Sequence, residues 1–418
     1  MRDSNMQNIL LFIFRLYGGG AERVVSNLSS ALSEEHNVKI AIFDKPGKTY
    51  PYSGELLHIE LPFSEDPVHN KWWQRMIRLF LLVYKLRRLK KKHKIDVALS
   101  FGEPANIINV LSGASKRTLV SVRTILSKEI STHRMWVTRA LSKLFYNRAN
   151  WVVVPSEASS RDLVEVFHIK KEKIKIIPNY IEKERIAKQA DVALESASLN
   201  QLFSHEIFLN VGRVTPAKGQ WLLLEMMTRE QFKKKKLVIV GEAESEGKLK
   251  SLLLEKAATL GLRVFDSMDH TELSADYDVY FLGFQPNPYQ FMKRSKLLLF
   301  PSLFEGFPNT VLEAMQCELP VIVADCNSVT REILGEGEMN GKISKATVTE
   351  NGILCPTLTD FDIQNKINPA IVDEWIKGIE ILENDQDLTQ KLRRNALSRV
   401  KDYNKESILA MWKSILNS

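Results

Sequence analysis

Phe300-Pro301-Ser302-Leu303-Phe304-Glu305-Gly306-Phe307-Pro308-Asn309-Thr310-Val311-Leu312-Glu313-Ala314-Met315 reads as the end of a strand, a glycine-containing loop and the start of a helix. The apolar run that enters it stops at Pro301, which has no N–H to give to a ladder. Asn309 or Thr310 is then placed to cap a helix running through Cys317. A strand that feeds a helix through a short loop is the repeating unit of parallel sheets. The N-terminus of such a helix presents unpaired N–H groups and partial positive charge, so the loop from Gly306 to Val311 is a place for phosphate. Glu305 precedes the cap and Glu313 lies about one turn in. The two acids therefore reach opposite ends of one ligand rather than sharing a proton.

Phosphate needs countercharge. Upstream, Asn210-Val211-Gly212-Arg213-Val214-Thr215-Pro216-Ala217-Lys218-Gly219 follows another apolar run and supplies Arg213, whose planar fork grips two oxygens, and Lys218, a flexible point charge. Further out, the alternation of β-branched runs with amphipathic stretches continues in both directions. Strands are expected at 8–14, 37–43, 57–61, 95–100, 117–122, 151–154 and 173–177, and a second series at 206–211, 237–240, 279–284, 297–300, 320–323 and 352–354. The fold class is α/β, with two doubly wound Rossmann-like domains facing across a cleft lined by the carboxyl ends of both sheets. The expected boundaries are 1–181 for the first domain, 182–205 for a polar linker, 206–400 for the second domain, and 401–418 for a helix packing back toward the N-domain.

A length of 418 residues exceeds what one growing core accommodates. With 44% hydrophobic and 26% charged residues the composition is globular. No run of about 18 apolar residues spans a bilayer, and residues 9–14 are too short for a signal core, so a cytoplasmic protein is expected. The three cysteines, Cys317, Cys326 and Cys355, have neither a disulfide nor a zinc-site spacing. The net charge of +8 is concentrated, because residues 71–94 hold ten Lys or Arg and no acid.

The Glu305/Glu313 spacing after a Phe-Pro-Ser strand end, with Gly212-Arg213 and Lys218-Gly219 upstream, resembles family 4 (group 1) of the retaining glycosyltransferases with the GT-B fold. The likeness extends to Gly18-Gly19-Gly20-Ala21-Glu22-Arg23-Val24, Val154-Pro155-Ser156-Glu157 and Ile177-Pro178-Asn179, and so covers nearly the whole chain. It implies that Arg213 and Lys218 hold the diphosphate of a nucleotide sugar, most simply a UDP-sugar, that Glu305 touches the sugar hydroxyls and that Glu313 touches the ribose. Gly306, Phe307, Asn309 and Thr310 would form the donor loop. Phe284, in Gly283-Phe284-Gln285-Pro286-Asn287-Pro288, would pack near the base. Gly19 and Gly20 would approach the sugar phosphate and the acceptor. No metal and no further cofactor are implied. The family often has a histidine after its fourth strand. This chain has Leu99-Ser100-Phe101-Gly102-Glu103-Pro104-Ala105-Asn106 there, leaving Glu103 or Asn106 as the nearest polar groups.

Residues 71–88 read as a helix with Arg75, Arg78 and Lys85 on one face and Trp73, Ile77, Phe80 and Tyr84 on another. That is the pattern of an interfacial helix at an anionic membrane, or of a crossover helix with solvated cations. Trp136, Arg139, Lys143 and Arg148 extend the basic character. A peripheral membrane location and a lipid-linked glycan acceptor are the expected partners; nucleic acid is not, since no recognition motif accompanies the basic run. Three competing readings stand. A dinucleotide oxidoreductase, from Gly18, Gly20 and Asp44, has Arg23 where a third glycine belongs. A metal-dependent transferase would use Asp276-Tyr277-Asp278, a spacing repeated at Asp360-Phe361-Asp362. A membrane scaffold would keep the fold without the chemistry.

Overall fold

The computed structural model describes residues 6–16, 19–43, 51–60, 72–129, 132–243, 247–268, 272–336, 341–359 and 362–417. Gly18, Asp44, Lys71, Asp360 and Phe361, and the side chains of Trp73 and Arg75, lie outside the described residues. The chain divides into two compact units, Met1–Asn179 with Glu406–Ser418, and Tyr180–Lys405. The last helix, Lys405–Asn417, thus belongs almost wholly to the first unit. Within that unit Lys413 pairs with Glu35 at 2.6 Å.

The first unit holds β1 (Asn8–Ile13), β2 (Asn37–Ile42), β3 (Glu55–His58), β4 (Val97–Phe101), β5 (Arg117–Ser121), β6 (Trp151–Val154) and β7 (Ile174–Ile176). They form a parallel sheet in the order β3-β2-β1-β4-β5-β6-β7. All of β4, and all but the first residue of β1, are buried. Near-continuous apolar runs of this kind belong to a sheet covered by helices on both faces. Each fully buried Leu or Ile in such a strand contributes about 1.5–3 kcal/mol.

The second unit holds β8 (Ile207–Val211), β9 (Lys236–Val240), β10 (Val264–Asp266), β11 (Val279–Phe281), β12 (Leu297–Phe300), β13 (Val321–Ala324), β14 (Thr347–Val348) and β15 (Ile353–Cys355). Their order is β10-β11-β9-β8-β12-β13-β15-β14, parallel except for the β14–β15 pair. The order reverses between β8 and β12, which is where an open parallel sheet makes its crevice. β10 and β14 were not expected. They have three and two residues and form the two ends of the sheet.

The segment 182–205, expected as a linker, instead contains the helices Lys183–Ala190 and Ala197–Leu202, both in the second unit. Ile186 and Ala190 are buried, and the first helix packs against the helix Tyr289–Arg294, where Arg294 donates to Ala190 O at 3.2 Å. The segment buries Ile186, Ala190, Leu194 and Leu202 within an otherwise polar stretch, and tertiary packing decides. No described helix is long and apolar enough to cross a membrane.

Candidate functional site

The crevice between β8 and β12 begins where the strands diverge. They pair only at Leu297 with Phe208 and Leu298 with Leu209. Past that point Asn210 turns its side-chain amide to Leu299 O at 2.8 Å. After β8 the chain runs through Gly212 and Arg213 into the short helical turn Pro216–Lys218. Gly219 closes this turn at φ 61°, and a Cβ there would stand 2.3 Å from Pro301 O. Only glycine lets the loop lie this close to the end of β12. Leu303 N donates to Ala217 O at 2.8 Å, joining the two loops. Gly241, after β9, has φ 153° and would place a Cβ 2.0 Å from Gly212 O, so the neighbouring loop is held equally close.

This close approach brings Lys218 and Glu305 together. Lys218 Nζ donates to Glu305 Oε1 at 2.5 Å, with the side chains 22% and 11% exposed. The ammonium also lies 5.4 Å from the Phe300 ring centroid. The backbone of Glu305 is fixed from the next strand's loop, since Asn327 Nδ2 donates to Glu305 O while Asn327 Oδ1 caps the helix Ser328–Leu334. Arg213 is exposed on the same loop as Lys218, and its guanidinium pairs with none of the described residues. The arrangement is one neutralised pair beside one unneutralised cation.

The helix after Glu305 is Asn309–Gln316, and its N-cap is Pro308 without a side-chain cap bond. The expected cap at Asn309 or Thr310 is therefore corrected: Asn309 is already helical, its N–H donating to Phe307 O at 3.0 Å, and Cys317 is the C-cap. Pro308, at φ −84° and ψ 75°, leads into the helix without a capping hydroxyl. Glu313 is 5% exposed, and Tyr289 OH stands 3.4 Å from its Oε1. Gly306 is buried, and Phe307 is buried edge-on to Tyr403 with centroids 5.6 Å apart. Phe284 is half-buried after β11, next to Gly283, whose carbonyl accepts from Gly241 N at 2.8 Å. The loops after β8, with Arg213 and Lys218, after β9, with Gly241, after β11, with Phe284, and after β12, with Glu305, thus all open from the carboxyl edge of one sheet.

Asp276 and Asp278 stand at the opposite edge, before β11. Asp278 receives Arg263 Nη2 at 3.1 Å and Nε at 3.3 Å, and Asp276 is bonded by Ser274. Arg263 holds the Asp278 carboxyl below its usual range against the opposing effect of burial. Among the described residues no group of three or more His, Cys, Asp or Glu is placed to hold a metal ion.

In the first unit Gly19 is the N-cap of the helix Gly20–Leu32 and has no side chain to bond it. Asn106, weighed as a stand-in for the family histidine, is instead interior. Its amide donates to Ser121 O at 3.0 Å and Tyr146 OH at 3.1 Å, and it accepts from Ser100 Oγ at 2.8 Å. These bonds tie β4, β5 and a helix together. Glu103 is half-buried on the loop after β4. Sequence reasoning missed Asn327, Tyr289 and Gln220. Asn327 had a readable signal, since it precedes a helical pattern as a cap residue does; Tyr289 reaches Glu313 from another helix and Gln220 bonds inward from a turn, and neither had one.

Two family models match the chain: glycosyl transferases group 1 over residues 195–399, and glycosyltransferase family 4 over residues 18–185. An uncharacterized glycosyltransferase of Methanocaldococcus jannaschii is 30% identical and covers 85% of this chain and 86% of its own. An N-acetylgalactosaminyltransferase of Campylobacter jejuni, whose name gives a diphospho-undecaprenol-linked substrate, is 27% identical over 96% of this chain and 97% of its own. The crystal structure of Anabaena HepE in complex with UDP and glucose superposes with a TM-score of 0.71 at 18% identity, covering 98% of each chain. At that identity it shows the fold, which is GT-B.

Proposed function

Since this chain belongs to the family 4, group 1 glycosyltransferases, we propose that it moves a hexose or N-acetylhexosamine from a nucleoside diphosphate sugar, most simply a UDP-sugar, to a hydroxyl of a lipid-linked glycan, with retention at the anomeric carbon and without a metal ion. The observation that carries this reading is the Lys218–Glu305 pair beside unpaired Arg213 at the switch point between β8 and β12. As the anomeric bond breaks, negative charge grows on the leaving diphosphate. Arg213 and the N–H groups of Lys218 not given to Glu305 meet it, and fixed charges need little reorganisation to do so. Glu305, anchored through Asn327, takes the sugar hydroxyls, and Glu313 takes the ribose. The acceptor then attacks from the face the phosphate leaves, with that phosphate receiving its proton.

The lipid-linked acceptor draws support from the first unit. The helices Trp72–Lys92, Ala105–Ser112 and Thr132–Tyr146 lie side by side and contain no Asp or Glu. The core face of the first is Leu79, Leu82, Val83, Leu86 and Leu89. Its other apolar stripe, Met76, Ile77, Phe80 and Tyr84, is exposed, Phe80 by 70%. Leu111 on the second helix and Leu144 and Trp136 on the third are exposed as well, Trp136 by 72%. Apolar groups set among cations without acids fit an anionic bilayer surface.

The test is incubation with a panel of nucleotide sugars and a lipid-linked glycan, with the anomeric configuration of the product read by NMR. Transfer with retained configuration is expected. Inversion would overturn the mechanism, and neither transfer nor hydrolysis with any donor would leave the membrane scaffold.

A further inference from the structure

We infer that Gln220, through Asn210, is a positioning residue that aims Arg213 into the crevice; the inference rests on the donor-site reading above. Gln220 follows Gly219 and is fully buried. Its amide nitrogen donates to Asn210 Oδ1 at 3.3 Å and to Arg213 O at 3.1 Å. Asn210 in turn donates to Leu299 O at 2.8 Å. A buried chain of side-chain amides therefore runs from β12, across the point where β8 parts from it, to the backbone of Arg213. It spans the gap that the two-residue β8–β12 ladder leaves open.

The chain is not built for stability alone. Gln220 Oε1 is buried without a hydrogen-bond partner among the described residues. A buried acceptor left unpaired is unfavourable, and an apolar side chain of the same length would avoid it. What such a side chain would lose is the pair of donated bonds, one of which holds the main chain of Arg213. That residue has no described partner of its own to hold its side chain. Its aim therefore depends on its backbone, and a small misplacement of a charge that meets a transition state lowers rate more than binding.

Gln220→Met keeps the bulk and removes the donors, and Asn210→Leu cuts the chain at its other end. The expected result for Gln220→Met is a folded protein with a modestly lowered melting temperature, since Asn210 Oδ1 and Arg213 O lose their donor, a nucleoside diphosphate Kd within about 3-fold, and a kcat at saturating donor lowered about 10-fold or more. The double variant should lose little beyond either single one, since both cut one chain. A folded Gln220→Met with kcat within about 2-fold of wild type, or losses that multiply in the double variant, overturns the inference. If Asn210→Leu does not fold, Gln220→Met decides alone. Arg213→Ala run alongside separates the two levels. Normal turnover there removes the donor-site reading itself, whereas an inactive Arg213→Ala beside a normal Gln220→Met removes only the role of Gln220.

Discussion

Lys218 and Glu305 are each other's partner in a largely desolvated pair, so truncating either one leaves the other charge poorly compensated. In the proposed mechanism Lys218 and Arg213 also meet the charge of the leaving diphosphate. Lys218→Ala or Arg213→Ala should lower turnover at saturating donor by about 100-fold or more, followed as release of nucleoside diphosphate. Near-normal rates in both would remove them from the site. The two acids should behave differently. Glu313→Gln is expected to weaken nucleoside diphosphate binding, and Glu305→Gln to depress turnover with that binding little changed. Titration calorimetry distinguishes the two, and the reverse pattern would exchange their roles. What was legible is their placement, because Arg213, Lys218 and Glu305 lie in short motifs that leave strand ends and Glu313 follows in the next helix. The groups that hold them were not. Asn210 bonds to Leu299 O 89 residues away, beyond any window along the chain; Gln220 bonds within its own motif, where no local pattern marks it, and Asn327 shows its cap signal but not its bond to Glu305 O 22 residues away. The helix cap was misread for a local reason, because Asn309 has the chemistry of a cap and Pro308 the geometry of one.

Among the elements, the helix Trp72–Lys92 carries the largest surprise. Its cations were read as solvated or membrane-facing, yet Lys90 is fully buried, donating to Asn109 O at 2.9 Å and to Asn109 Oδ1 at 2.7 Å. Burial, with Arg87 nearby, lowers the Lys90 pKa to about 7. Above that pH the folded protein releases a proton that the unfolded chain keeps up to its higher ordinary value. The unfolded state binds more protons, so stability rises with pH. The window is pH 7 to 9, because above 9 the buried thiols of Cys317, Cys326 and Cys355, with pKa values raised by burial, work in the opposite direction. Denaturant unfolding should show a gain of about 2 kcal/mol across that window, absent in Lys90→Met. A flat profile in the wild type contradicts the reading. The exposed side of the same helix makes a separate prediction. Wild-type protein should pellet with anionic vesicles at low salt, not with neutral ones, and be released as salt rises. Gln at Arg75, Arg78, Lys85 and Arg88 should weaken pelleting while donor hydrolysis persists. Protein that stays in the supernatant with anionic vesicles would make this an ordinary crossover helix. A sequence pattern alone does not separate the two apolar stripes of this helix. Which one meets the sheet is settled by packing against β1 and β4.

For the molecule as a whole, the alternation of strand and helix was enough to find every strand of the first sheet and the six longer-range partners of the second. The central strands read as short buried apolar runs, and the half-exposed edge strands β3 and β7 from the alternation around them. What escaped were edge strands of two or three residues and the short helices in 182–205, whose existence depends on the surfaces they cover. Two sheets each with a reversal of strand order offer two crevices, and the one between β8 and β12 gathers the unpaired cation, the ion pair and the glycines that admit close approach. In the proposed function this crevice takes a nucleoside diphosphate on fixed protein charges alone. Calorimetric titration of the chelator-treated full chain with UDP and the other nucleoside diphosphates tests it most directly, with Arg213→Ala and Lys218→Ala beside the wild type. One site per chain is expected for at least one of them, weakened about 10-fold or more in each variant and indifferent to added divalent ions. Binding that requires manganese, or affinity equal in the wild type and both variants, would contradict it.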